Sequence, residues 1–97
     1  MDYHIALHKC AERYRDMLIA ERYRSDDPLW KFTMEFMFGC RDGLPVEKLC
    51  RWLGYIQGVL IERGHTTVAE ERDWTRPLFR PLDFPADAKR KAREMVG

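Results

Sequence analysis

The sequence predicts an all-α fold: a single domain over residues 1–97 with four main helices, a Pro-rich C-terminal strap and a short terminal helix. Two observations carry that prediction. Apolar residues recur at helical spacing through the first two thirds of the chain. Start and stop signals then divide that pattern into helix-sized pieces. Composition agrees, with 34% charged and 45% hydrophobic residues in 97, which suits one small folded domain.

The first helix is read over Asp2 to Arg24. Tyr3, Leu7, Cys10, Tyr14, Met17 and Leu18 form one stripe, bordered by Ala6 and Ala11. A thinner apolar set, Ile5, Ile19 and Tyr23, lies opposite among His8, Glu12 and Arg15. Ser25-Asp26-Asp27-Pro28 breaks the chain; Asp27 can cap a second helix that Pro28 opens. From Trp30 to Phe38 the residues alternate as a strand does, yet Leu29, Phe32, Phe36 and Cys40 also give a helical stripe. The cap signal and the lack of any partner strand favour a helix, with Trp30, Met34, Met37 and Phe38 on its other side. Gly39 to Leu44, with Arg41-Asp42-Gly43, reads as a turn.

Pro45 to Gly64 reads as the central helix around which the rest is organised. Val46, Leu49, Leu53, Ile56 and Leu60 form its stripe, widened by Cys50, Trp52, Val59 and Ile61 to more than half the circumference. Pro45 fits the first helical position and Gly64 a left-handed C-terminal cap. Gly54 and Gly58 imply the close approach of another backbone. Thr67 with Glu70 is a capping box for a fourth helix, Val68 to about Thr75, with Val68, Trp74 and Thr75 on one side. Pro77 and Pro81 disfavour its continuation, so Arg76 to Pro85 is expected as an extended strap burying Phe79 and Phe84. Ala86 to Met95 is the terminal helix.

The function classes that composition disfavours are clear. Seventeen Lys and Arg against 16 Asp and Glu leave a net charge of +1, with no overall pull toward nucleic acid or an anionic membrane. No stretch has the length and apolarity to span a bilayer, and no signal-peptide block opens the chain. Cys10, Cys40 and Cys50 are odd in number and form no C-x-x-C pair, which implies a reduced, intracellular setting. His4, His8 and Glu12 recur at i, i+4 and i+8, but no fourth ligand is in view, and neither a metal nor a cofactor is expected. There is no Gly-rich phosphate loop and no nucleophile–base arrangement, so the chain is expected not to be an enzyme.

A count of faces leaves apolar residues over. Trp30, Met34 and Phe38, with Ile19 and Tyr23 at the margin, are the candidate contact surface for a host protein or a second copy in a homodimer. The alternative is a nucleic-acid-binding regulator. It rests on Lys89, Arg90, Lys91 and Arg93 and on a helix-turn-helix-like pair, 45–63 and 68–75. Glu70, Glu71 and Asp73 on the second helix of that pair count against it, because acids repel phosphates.

Arg51-Trp52-Leu53-Gly54-Tyr55-Ile56-Gln57-Gly58 and Glu71-Arg72-Asp73-Trp74-Thr75-Arg76-Pro77-Leu78-Phe79 resemble short, mostly uncharacterised accessory proteins of tailed phages and prophages. The resemblance covers roughly the second half of the chain and transfers no catalytic residue. It implies a bacterial cytoplasm and an accessory gene product that binds a host protein stoichiometrically, as inhibitors of restriction or of CRISPR immunity do.

Overall fold

The computed structural model describes residues 2–86. Within them the fold is all-α, with α1 Tyr3–Ala20, α2 Pro28–Asp42, α3 Val46–Glu62 and α4 Val68–Asp83, and no strand among the described residues. The segment that alternates like a strand is helical from Pro28, because Asp27 caps it: the carboxylate accepts from the Leu29 amide at 2.8 Å. Asp2 caps α1 through the Ile5 amide, and Thr67 caps α4 through the Glu70 amide. Gly64 takes the left-handed conformation at φ 78°, and the His65 amide returns to the Leu60 carbonyl. α1 ends by the same device four residues earlier than expected. Arg22 sits there at φ 59° while the Tyr23 amide reaches the Leu18 carbonyl.

α1, not α3, is the hub. It packs against each of the other three helices, and Ala6, Leu7, Cys10, Ala11, Tyr14 and Leu18 are buried along it. The small residues Ala6, Cys10 and Ala11 let a neighbouring helix come close, and α1–α2 is the most extensive helix pair. α3 buries only Leu49, Leu53, Ile56 and Leu60 fully. Gly54 and Gly58 face outward, with nothing within 4 Å of the Cβ that either lacks. The glycine with close neighbours is Gly39, expected in a turn but buried inside α2. A Cβ there would lie 2.8 Å from Leu44 Cδ1 and 3.1 Å from Leu49 Cδ2.

On α2 the buried line is Leu29, Thr33, Phe36, Met37 and Cys40. Met37 therefore belongs to the core rather than the outer side, and Phe32 is only partly buried, packed against Trp52 and Tyr55. Val68, expected on the covered side of α4, is exposed.

The expected strap is the second half of α4, which stays helical through Pro77 and Pro81 to Asp83. Each proline removes one backbone bond, freeing the carbonyls of Asp73 and Pro77. Asp73, Pro77 and Pro81 are all exposed, so water can satisfy those carbonyls. Leu78 and Leu82, one turn apart, then stay on the inner side, and Phe79 stacks on Tyr3 at 6.5 Å between ring centroids. Phe84 remains 55% exposed rather than buried. The expected terminal helix lies, beyond Ala86, outside the described residues.

Candidate functional site

α2 and α3 present one aromatic face. Trp30, Met34 and Phe38 recur every four residues along α2 and line a shallow groove of about 430 Å³ with Leu44 and Trp52. Lys31, Glu35 and Asp42 edge it. Beside it a second groove of about 500 Å³ is lined by Pro28, Leu29, Phe32, Trp52, Tyr55, Val59 and Arg63. Trp52 belongs to both and joins them into one surface. Phe32 sets the geometry, with its ring centroid 5.4 Å from Trp52 and 5.2 Å from Tyr55. Lys48 and Arg41 lie over the outer rings, 5.2 Å from the Trp52 centroid and 5.9 Å from that of Phe38. Phe38 and Tyr55 stay 49% and 60% exposed.

The sequence-predicted contact residues do not all meet. Trp30, Met34 and Phe38 share the first groove, whereas Ile19 is exposed on α1 and lines neither groove. Tyr23 is drawn to the α3–α4 link. Its hydroxyl lies 2.8 Å from His65 Nε2 and accepts from Arg63 at 3.1 Å. Spacing alone puts Trp52 and Phe32 in core stripes, and the structure adds both to the surface. Tyr55 is the legible signal, since its phase puts a large aromatic on the polar side of α3. Lys89, Arg90, Lys91 and Arg93 lie outside the described residues.

A second cluster joins α1, α3 and α4 around Glu71, which the sequence offers only as an acid that would repel phosphates. Glu71 is 4% exposed and accepts from Arg13 Nη2 at 2.9 Å, the Tyr14 hydroxyl at 2.5 Å and the Thr66 hydroxyl at 2.7 Å. Tyr14 in turn accepts from Gln57 at 2.8 Å, and the Arg13 guanidinium lies 4.9 Å from the Trp74 ring centroid. Burial works to raise the Glu71 pKa, but the bonds from Arg13, Tyr14 and Thr66 outweigh it and hold the carboxyl below its ordinary range. Burial, then the Glu71 bond, pushes the Tyr14 phenol upward, so it stays protonated and donates. This is an ionised peg locked between helices, with its acceptor atoms already engaged. The signal for it was a carboxylate in phase with Leu78 and Leu82.

The other chemistry-bearing residues are also engaged. His4 Nε2 lies 2.7 Å from the Leu44 carbonyl; His8 accepts from Arg41 and contacts Glu12 at 2.8 Å. No group of three or more His, Cys, Asp or Glu is placed to hold a metal among the described residues. Burial pushes the Cys10 thiol up to about 12 and the Cys40 thiol up to about 11, so neither is a thiolate at neutral pH. No described helix is long and apolar enough to cross a membrane. No protein-family model, curated protein or solved structure matches the chain.

Proposed function

We propose that this chain is a small non-enzymatic binding protein that docks its α2–α3 face on a host protein, as an accessory protein of a phage acting in the bacterial cytoplasm on a defence component. The observation that carries this reading is the continuity of the two grooves through Trp52. Large exposed apolar surfaces on small proteins mark contact sites, and aromatics and Met are the types enriched there. The phage context rests on the resemblance of the 51–58 and 71–79 stretches.

The test uses positions whose side chains are already half in solvent. Tagged wild-type chain and the Phe38→Ala and Tyr55→Ala variants are used to capture partners from bacterial lysate, and a captured protein is then titrated in purified form. Each substitution should weaken binding at least about tenfold, equivalent to about 1.4 kcal/mol. Capture that both variants leave intact would place the contact elsewhere. Light scattering on the purified chain reads the homodimer, which would occupy the same face.

A further inference from the structure

The sequence of α4 mixes Glu70, Glu71, Asp73 and Asp83 with Arg72, Arg76 and Arg80. The fold buries one of the four acids. Glu71 is buried beneath Arg13, Tyr14 and Thr66. Glu70 Oε2 lies 3.1 Å from the Thr66 hydroxyl, and Asp83 accepts the Tyr3 hydroxyl at 2.5 Å. Arg72, Arg76 and Arg80 are exposed, four residues apart on one edge, and none forms an ion pair among the described residues. Glu70, Asp73 and Asp83 stay exposed, and Asp83 lines one shallow pocket with Arg76, Arg80 and Phe84. The row exists because α4 runs through Pro77 and Pro81; an extended strap would have carried Arg80 out of line. At 1.5 Å per residue the row is about 12 Å long. Phe84, its ring half in solvent, follows one turn beyond Arg80.

We propose that Arg72, Arg76 and Arg80 form a strip that binds the phosphodiester backbone of a nucleic acid. Guanidinium forks match phosphate geometry, and a linear row of exposed cations suits a ligand that repeats its charge along a line. An exposed aromatic at the end of such a row offers a base a stacking surface. Of the three acids that count against this role, Glu71 is buried and paired with Arg13, which leaves the exposed Glu70 and Asp73 against three arginines. None of the three arginines lines either α2–α3 groove, so the strip is separate from the proposed protein contact.

The experiment is fluorescence anisotropy of labelled single-stranded and duplex oligonucleotides titrated with the full chain at several salt concentrations. Three phosphate contacts predict a slope of log affinity on log salt of about −2 for single strands and roughly −3 for duplex. Replacing Arg72, Arg76 and Arg80 together by Gln should cut affinity at least about tenfold at low salt and flatten the slope, with the thermal melt unchanged. A companion variant with Lys89, Arg90, Lys91 and Arg93 changed to Gln should keep the row-dependent part. The proposal fails if no oligonucleotide binds at the lowest salt, or if the Arg72/Arg76/Arg80 variant binds like the parent. It also fails if only the companion variant loses binding. Competition by polyglutamate as effective as by oligonucleotide of equal charge would assign the strip to an acidic protein instead.

Discussion

Removing the Glu71 carboxylate should be the most damaging single change on α4. Glu71→Ala takes away the acceptor of three bonds, each made to a charged group or by one. Arg13 is partly exposed and can recover water, so its loss is cushioned. Tyr14 is buried, so its hydroxyl loses its acceptor where water does not easily reach, whereas Thr66 keeps Glu70 Oε2 within 3.1 Å. A buried donor left unsatisfied costs about 1–3 kcal/mol, and breaking a buried ion pair from one side costs about 3–5 kcal/mol. An overall loss of about 3–4 kcal/mol follows, a large share of the 5–15 kcal/mol typical of a domain. Glu71→Gln keeps the shape and an acceptor oxygen, and should lose only about 1–2 kcal/mol. Urea unfolding followed by tryptophan fluorescence reads both, as a shift in midpoint at constant slope. If Glu71→Ala moves the midpoint by less than the equivalent of about 1 kcal/mol, the carboxylate is not the peg described.

The same group gives a pH signature. Its pKa is depressed in the folded state, so its stabilisation is full above the ordinary carboxylate range and lost as the pH falls through the lower folded value. Acid titration of the wild type should therefore show a falling midpoint below about pH 4.5 that Glu71→Gln largely lacks. Thr33 is buried with its hydroxyl unpartnered, so Thr33→Val should raise stability by about 1 kcal/mol in the same urea assay. Gly54→Ala and Gly58→Ala should each raise it by up to about 1 kcal/mol, since a methyl meets nothing there; a drop in melting temperature would show a hidden contact. Gly39→Val, by contrast, drives a branched side chain against Leu44 and Leu49 and should lower stability by about 1–3 kcal/mol.

What the sequence made legible was local. Asp27-Pro28, Gly64 and Thr67 act through their nearest neighbours, so their caps could be read without knowing the fold. The α1 stripe was legible for the same reason, since its phase repeats over many turns. The errors share a different cause. Whether Gly58 or Gly39 faces a neighbour depends on which helix crosses it, which no window of sequence contains. Pro77 and Pro81 carry a strong local penalty, but they are tolerated because both lie on the solvent side of α4. Trp52 and Phe32 obey the core spacing and still sit at the rim, because apolar phase cannot distinguish the centre of a bundle from its open side. The burial of Glu71 was not legible because a carboxylate takes a buried place only through partners distant in sequence, here Arg13 and Tyr14.

The attachment of α4 has one more consequence. This helix leans chiefly on α1, while α1, α2 and α3 pack on one another. Three helices that close on themselves can keep their shape while the fourth lets go. The backbone amides of α4 should therefore exchange with deuterium faster than those of α1 under native conditions, through local opening that precedes the global transition. The peg at Glu71 sets the free energy of that opening. Glu71→Ala should therefore speed exchange in α4 more than in α1–α3.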